Sequence, residues 1–447
     1  MKIIIAGAYA IGTHLARLLS RSKEDITLID DSEERLASIG SDYDLLTMVG
    51  QPTSLKILRD ANVADADLFI SVTPLESKNI TACILAHELG AKRTVAKVDN
   101  PEYMDPQAQE FFKDLGINKL IYPEMLAAVD INNGLKMSWV RQRWDVHDGA
   151  LIMLGIKLRE TCEILNKPLK DISGPNDPYH VVAIKRGGET IIPGGYDELK
   201  LYDLAYFMTT RNYIPYIRKI VGKEHYVDVK NVMIMGGGRT AVRAVKKMPE
   251  YMECKIIEID ENRCEYLNDI LDENKTLIIH GDGRDIPLLT EEGIRSTQAF
   301  VALTGNAETN ILACLTAKRM GVRKTVAAVE NVDYVSMAES LDIGTIINKK
   351  MIAASYIYQM MLDADVMNVR FLMSANADVA EFIAKEGSKV TKKPVKDLGM
   401  PIGVTIGGLV RNGEGMLVSG NTQIEPGDSV MVFCHNINMK KIEKYFI

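Results

Sequence analysis

The stretch Lys2-Ile-Ile-Ile-Ala-Gly7-Ala-Tyr-Ala-Ile-Gly12 decides the fold, because an apolar strand here runs into a turn of small residues. The stretch Asn231-Val-Met-Ile-Met-Gly236-Gly-Gly-Arg-Thr-Ala241 repeats this pattern, and Gly236 lies 229 positions after Gly7. The repeat continues at offsets between 228 and 231, in the pairs Asp30 and Glu258, Gly50 and Gly281, Thr73 and Thr304, Asn79 and Asn310, and Tyr103 and Tyr334. Small loop insertions produce such drift, so we infer a duplicated domain.

Composition places the chain among ordinary globular proteins. Its 447 residues are 47% apolar and 25% charged, which suffices for roughly three or four domains. The formal net charge of −7 disfavours binding to nucleic acid, since neutralising phosphates requires a basic face. No apolar run reaches the roughly 18 residues that cross a bilayer, and no signal-peptide pattern is seen. The six dispersed cysteines indicate neither a zinc site nor a disulfide framework, so we expect a soluble protein in a reducing cytosol.

Short β-branched runs alternate with helical stretches in both copies. Strands are predicted at residues 2–6, 26–30, 45–49, 68–73 and 93–98, and the second copy repeats this order over 231–330. Such alternation requires parallel strands joined by crossover helices. We therefore predict an α/β fold with two doubly wound parallel sheets of the Rossmann type.

A smaller module of short strands follows each large domain. Both modules contain a Lys-Pro-x-Lys-Asp element, which ends at Asp171 and at Asp397, and the second has a strong hairpin signal at Asn412-Gly413. The predicted order is a large domain at 1–123, a helical connector at 124–145, a small domain at 146–226, a large domain at 230–348, a helical connector at 349–368 and a small domain at 369–447.

The glycine turn of the second copy suits a pyrophosphate group. Gly236, Gly238 and Ala241 fit the pattern G-x-G-x-x-G/A between a strand and a helix. Glycines let the backbone approach closely, and the unpaired N–H groups of the helix start point at the negative charge. The first copy departs from this pattern because Tyr9 stands at the middle glycine position, where its ring would occupy space that a pyrophosphate enters. We therefore expect the first domain to bind a nucleotide more weakly, in a different pose or not at all.

An acidic residue ends the second strand of each copy, as ribose recognition requires. Asp30 lies 23 residues past Gly7, and Glu258 lies 22 residues past Gly236. Further acids nearby would repel a 2′-phosphate, which favours NAD or an adenine nucleotide. A surface acidic cluster at a helix start is the alternative reading.

Other residues at the strand ends could also contact a ligand. Thr73-Pro74 and Thr304-Gly305 follow the fourth strands, where a threonine can touch ribose or phosphate or can cap a helix. Asp282 could contact adenine, and Gln51 takes its place in the first copy. No histidine cluster recurs in the repeats, so we predict no catalytic site.

The chain closely resembles the tandem RCK (KTN) family of TrkA-type regulatory subunits of bacterial Trk potassium uptake. The resemblance rests on the module order, the segments Val72-Thr-Pro-Leu-Glu-Ser-Lys-Asn79 and Leu303-Thr-Gly-Asn-Ala-Glu-Thr-Asn310, and the Lys-Pro elements, and it covers essentially the whole chain. It implies RCK N-terminal Rossmann domains, each followed by a small α+β RCK C-terminal domain. It also implies bound NAD(H) or ATP/ADP, a homotetrameric ring and a membrane potassium-translocating partner of the TrkH/TrkG type. The expected location is the cytoplasmic face of the plasma membrane, with membrane contact only through that partner.

The resemblance also implies a set of nucleotide contacts. In the first copy these are Gly7, Ala8, Tyr9, Ala10, Ile11, Gly12, Asp30, Thr73, Pro74 and Lys97. In the second copy they are Gly236, Gly237, Gly238, Arg239, Thr240, Ala241, Glu258, Asp282 and Thr304, while Ala328 replaces Lys97. We hypothesise a non-catalytic regulator whose bound nucleotide shifts the ring conformation and gates the partner. The alternatives are an NAD-dependent oxidoreductase and a nucleotide sensor of a different ion transporter.

Overall fold

The computed structural model describes residues 1–20, 24–39, 43–172, 177–362, 366–372, 377–435 and 439–447. The chain divides into two compact units. Unit 1 comprises residues 1–126 and 349–361, and unit 2 comprises residues 127–348 and 362–447.

The first Rossmann domain contains a six-stranded parallel sheet in the order β3-β2-β1-β4-β5-β6. Its strands are β1 (Lys2–Ala6), β2 (Asp25–Asp30), β3 (Leu46–Val49), β4 (Leu68–Ser71), β5 (Thr94–Lys97) and β6 (Lys119–Ile121). Its helices are α1 (Ala10–Ser20), α2 (Glu33–Ala37), α3 (Leu55–Asp60), α4 (Glu76–Glu88) and α5 (Pro106–Asp114). The predicted doubly wound sheet is confirmed, and the order of successive strands switches sides between β1 and β4, where such folds bind ligands.

The first small domain is an antiparallel sheet preceded by the helix α6 (Pro123–Leu135). Its strands pair in the order β10-β9-β11-β8-β7. Their bounds are β7 (Gln142–Val146), β8 (Leu151–Lys157), β9 (Tyr179–Arg186), β10 (Glu189–Ile191) and β11 (Leu204–Thr209), with the short helices α7 (Leu169–Ile172) and α8 (Ile214–Ile220).

The second Rossmann domain repeats the first, with the sheet order β14-β13-β12-β15-β16-β17. Its strands are β12 (Asn231–Met235), β13 (Glu253–Glu258), β14 (Thr276–His280), β15 (Ala299–Ala302), β16 (Lys324–Ala328) and β17 (Thr345–Ile347). Its helices are α9 (Arg239–Lys246), α10 (Glu261–Ile270), α11 (Ile286–Glu291), α12 (Ala307–Arg319) and α13 (Asp333–Ser340).

The second small domain has the same strand arrangement as the first. After α14 (Lys349–Gln359) come β18 (Val366–Leu372), β19 (Ala377–Ile383), β20 (Val404–Arg411), β21 (Glu414–Leu417), β22 (Ser429–His435) and α15 (Met439–Glu443). The strands pair in the order β18-β19-β22-β20-β21, which corresponds to the order of the first small sheet strand by strand. Both copies of the predicted (large domain, small domain) architecture are thus present.

One buried ion pair recurs in the small domains and fixes the turn before the last strand. Arg186 donates two hydrogen bonds to the carboxylate of Asp203, and Arg411 does the same to Asp428. Asp203 is 1% exposed and Asp428 is 2% exposed. Each carboxylate also accepts a hydrogen bond from the backbone N–H three residues upstream, so a single buried side chain closes the turn.

The helices of the predicted connectors are shorter than expected and differ in their partners. Residues 142–145 belong to β7 and residues 366–368 belong to β18, because their side chains alternate across a sheet, while residues 363–365 lie outside the described residues. Helix α14 packs against α1 within unit 1. Lys119 lies 4.2 Å above the Tyr356 ring, and Arg93 donates to the backbone carbonyl of Met360. Sequence order alone does not predict this return of the chain to its first domain.

The described helices provide no membrane crossing. Over the described ranges, no helix combines the length and the apolar character that a bilayer requires.

Candidate functional site

The glycine turn of the second Rossmann domain joins β12 to α9 at the carboxyl edge of the sheet. Gly236 has a φ of +97°, and a Cβ there would lie 3.2 Å from the backbone of Leu303 and Thr304, so only glycine fits. Gly238 is the N-cap residue of α9, and a Cβ there would have no atom within 4 Å. The turn therefore leaves open space directly in front of a helix start, where an anionic group is favoured.

The Glu258 carboxylate is fixed beside this turn by backbone donors. Its Oε2 accepts from the N–H of Gly237 at 2.6 Å, and its Oε1 accepts from the N–H groups of Ile259 at 2.8 Å and Asp260 at 3.0 Å. The side chain is half-buried, so part of it still faces the cleft. A carboxylate oriented in this way can accept hydrogen bonds from both hydroxyls of a ribose.

A cavity of about 520 Å³ lies in front of these groups. Its lining includes five of the predicted residues, Gly236, Gly238, Glu258, Asp282 and Thr304. Arg284 also lines it and forms a fork-shaped ion pair with Asp282, which lowers the pKa of that carboxyl group. The volume lies within the usual range for small-molecule sites, about 300–1,000 Å³. The second cleft thus has the size, the backbone donors and the acid for an adenine nucleotide.

The first Rossmann domain has the same arrangement of a glycine turn and an acidic side chain at the end of the second strand. Gly7 has a φ of +109°, and a Cβ on Gly12 would lie 1.8 Å from the carbonyl oxygen of Gly7. Asp30 takes the place of Glu258: its Oδ2 accepts from Ala8 N–H at 2.6 Å and its Oδ1 from Ser32 N–H at 2.9 Å. Asp30 is, however, only 2% exposed.

Side chains of the protein itself fill the space in front of the first glycine turn. The Arg35 guanidinium lies 4.4 Å from the centre of the Tyr9 ring and donates to Asp30 Oδ1 at 2.8 Å. Arg35 also pairs with Asp31, which accepts from Lys78 at 2.9 Å. The hydrogen bond from Lys78 is the main reason why the pKa of Asp31 is lowered.

The first cleft is correspondingly small. The cavity left there measures about 90 Å³ and is lined by Tyr9, Asp30, Asp31, Pro52, Thr73, Pro74, Leu75 and Lys78. This volume is far below that of a site for a nucleotide. Tyr9 therefore lies in the first cleft, and Arg35, which stacks on its ring, narrows the cleft further.

The paired asparagines hold the strand ends together. Asn79 Oδ1 accepts from the N–H and the hydroxyl of Thr73, and its amide donates to the carbonyls of Thr73 and Lys97. Asn310 makes the corresponding bonds to Thr304 and to the Ala328 carbonyl. Both asparagines are fully buried. The threonine hydroxyls thus donate within the protein and keep only lone pairs for a ligand.

Several predicted contacts do not line either cavity. In the first copy these are Gly7, Ala8, Ala10, Ile11, Gly12 and Lys97, and in the second Gly237, Arg239, Thr240 and Ala241. Lys97 pairs with Asp99 at 2.7 Å instead. Conversely, Asn306 and Thr309 at the start of α12 line the second cavity and were not predicted. Their position after a strand end was the signal that could have found them.

The repeated cysteines pack in the cores and take no part in the clefts. Cys83 and Cys314 are fully buried, and burial raises the pKa of both thiols. Their sulfur atoms face the carbonyls of Val95 and Val326. Such thiols are unreactive core residues.

Comparison with known proteins identifies the family. The TrkA-N domain matches residues 3–123 and 232–349, and the TrkA-C domain matches residues 379–447. The chain belongs to the TrkA family. The Trk system potassium uptake protein TrkA of Haemophilus influenzae is 30% identical over 100% of this chain and 98% of its own length. The TrkA homolog of Archaeoglobus fulgidus is 28% identical over the whole of both chains.

Solved structures share the fold of this TrkA family member at low identity. The GsuK RCK domain superposes with a TM-score of 0.63 at 14% identity, and covers 100% of this chain and 94% of its own. The GsuK channel bound to NAD superposes with a TM-score of 0.61 at 15% identity, over 100% of this chain and 78% of its own. The predicted fold, two doubly wound Rossmann domains each followed by a small α+β domain, is thereby confirmed.

Proposed function

We propose that this chain is the regulatory subunit of a potassium uptake system and that an adenine nucleotide in the second cleft switches it. Membership of the TrkA family supports the role in potassium uptake. The single observation that supports the switch is the cavity of about 520 Å³ in front of Glu258 and the glycine turn. The cavity at the equivalent place in the first Rossmann domain measures only about 90 Å³.

The charges of the second cleft favour NAD(H), ATP or ADP over a nucleotide with a 2′-phosphate. Glu258 lies where ribose hydroxyls would bind, and Asp260 and Glu261 follow it directly. Arg284 lines the cleft and is already neutralised by Asp282. A 2′-phosphate would therefore meet negative charge, and the described lining of the cleft offers no Lys or Arg besides Arg284. GsuK structures with NAD and with ADP support both kinds of ligand.

The nucleotide can act only through a difference in its affinity for two conformations. A coupling free energy of about 1–3 kcal/mol per site changes an equilibrium by roughly 5- to 150-fold. We infer that four chains form a ring beneath a TrkH/TrkG-like membrane subunit, because several coupled sites then add their effects. In this arrangement the chain meets the membrane only through that partner, on the cytoplasmic side, and catalyses no reaction.

Potassium flux through the reconstituted complex tests the proposal. We expect added NADH, NAD⁺, ATP or ADP to change the flux, and we expect Gly238→Trp to abolish the response because the indole fills the cleft. The matched control is Gly188→Trp, since a side chain on that exposed hairpin glycine also meets no atom within 4 Å. A nucleotide response that survives Gly238→Trp would refute the proposed site. Steady turnover of NADH with a small carbonyl substrate would instead favour an oxidoreductase, and copurification with an unrelated transporter would favour a different partner.

A further inference from the structure

Four cationic side chains surround a single carboxylate in unit 2. Arg141 precedes β7, Lys157 ends β8, and Arg159 follows it, while Lys318 lies in the last turn of α12. Their common neighbour is Asp342, after α13. We call these five residues the Asp342 cluster. It joins elements of the first small domain to elements of the second Rossmann domain, and it is separate from the nucleotide cleft.

Three of the cations contact the carboxylate directly. Arg159 lies 2.5 Å from Asp342 Oδ2, and Lys318 lies 3.1 Å from the same oxygen. Arg141 donates to Oδ1. Burial disfavours ionisation of Asp342, but these three cations outweigh it and lower the pKa of the carboxyl group to about 2. The aspartate is therefore a permanent anion and is shared among three donors.

The fourth cation has no acid of its own. Lys157 donates no hydrogen bond to any residue in the described part of the chain. Burial lowers its pKa, and the charges of Arg141 and Arg159 lower it further. Asp203 also acts on the Lys157 ammonium, but its two carboxylate oxygens already accept from Arg186. The cluster thus carries three more positive than negative charges.

Solvent reaches these groups although they are partly buried. The exposed fraction of the side chain is 19% for Arg141, 28% for Lys318, 33% for Arg159 and 32% for Asp342. Like charges held together at this depth repel one another more strongly than they would in water. A small anion from solvent would relieve this repulsion, and it could reach the side chains without unfolding the domain.

We propose that the Asp342 cluster binds a small phosphate-type oxyanion, namely inorganic phosphate, pyrophosphate or the phosphate end of a larger metabolite. Two planar guanidinium groups offer paired N–H donors that match phosphate oxygens, and two ammonium groups add charge. The bound anion shares the arginine donors with Asp342 and takes up the charge of Lys157. This site does not depend on the proposed nucleotide switch, because none of its residues lines the second cleft.

Thermal unfolding of the Asp342→Asn variant provides the first test. Asp342 has a φ of +55°, which asparagine tolerates well, so the substitution removes the charge and leaves the turn intact. We expect the variant to melt earlier than wild type in chloride and to recover in phosphate at the same ionic strength. The control is Asp428→Asn, which breaks the Arg411 pair away from the cluster. If phosphate raises the melting temperature of both variants equally, the effect is unspecific and the proposal is wrong.

Calorimetric titration of the full-length protein provides the second test. We expect pyrophosphate and phosphate to bind, and we expect Lys157→Gln and Lys318→Gln each to weaken the affinity about tenfold, as the loss of one charge-assisted hydrogen bond does. Adenosine, which has no phosphate, should not bind at this cluster, whereas AMP should. Every protein in this titration also carries Gly238→Trp, which fills the nucleotide cleft, so that binding of pyrophosphate or AMP reports on the Asp342 cluster. Absence of pyrophosphate binding when Gly238→Trp is the only substitution, or binding that both lysine variants retain in full, would overturn the proposal.

Discussion

The two clefts give opposite predictions for the same kind of substitution. Glu258 and Asp30 are equivalent acids at the ends of β13 and β2, yet one faces an open cavity and the other is 2% exposed. We predict that Glu258→Ala weakens nucleotide binding strongly and costs less stability than Asp30→Ala. We predict that Asp30→Ala leaves nucleotide binding intact and destabilises the first domain.

The magnitudes follow from the contacts of each carboxylate. Two hydrogen bonds from ribose to Glu258 contribute about 2–4 kcal/mol, so their loss weakens affinity about 30- to 900-fold. Of the three backbone N–H groups that donate to Glu258, only that of Gly237 is buried and the other two are near solvent. We therefore expect Glu258→Ala to lower the free energy of unfolding by about 1–2 kcal/mol. Asp30 accepts from Ala8, Ser32 and Arg35 in a buried setting, and its removal should cost about 3–5 kcal/mol.

Two measurements on the same three proteins decide the matter. Calorimetric titration with NADH, which has no terminal phosphate for the Asp342 cluster, should show one site per chain in wild type and in Asp30→Ala, and a site about 30- to 900-fold weaker in Glu258→Ala. Thermal unfolding should show a lowered transition mainly in Asp30→Ala. Two equivalent sites in wild type, or loss of binding in Asp30→Ala at unchanged melting temperature, would refute the assignment of the nucleotide to the second cleft.

Three further predictions concern the stability of the fold. Burial lowers the pKa of Lys324 to about 7, so above that pH the folded state binds fewer protons than the unfolded state. The free energy of unfolding should therefore rise by roughly 1–2 kcal/mol from about pH 7 to 8.5. Urea unfolding at each pH should show this rise in wild type and its loss in Lys324→Met. Arg411→Lys should lower the free energy of unfolding by about 1–2 kcal/mol, because lysine cannot donate the paired hydrogen bonds to Asp428. Thermal unfolding should show the same loss for Arg186→Lys, and unequal losses would contradict the equivalence of the two turns. A fragment of residues 1–126 should melt at a lower temperature than the same fragment with a peptide of residues 349–361 added, since α14 covers α1, and equal melting curves would contradict this.

Much of the fold could be predicted because its signals are local. The strand-turn-helix pattern around Gly7 and Gly236, with an acid at the end of the next strand, indicated two Rossmann sheets, and the observed strand orders agree. The obstruction by Tyr9 was also visible, since a ring replaces a glycine at a position where backbone must lie close to a ligand. These features depend on periodicity and on backbone sterics within a few residues.

The tertiary structure decided which groups meet across long stretches of chain. Arg35 covers Tyr9 and reduces the first cavity to about 90 Å³, although a surface arginine after a helix cap carries no such signal in the sequence. Helix α14 joins a domain that ended more than 220 residues earlier. Arg141 and Asp342 are 201 residues apart and still share an ion pair. Because side-chain contacts and the packing of distant elements arise only on folding, the sequence determined two similar domains, and the folded chain made their clefts different.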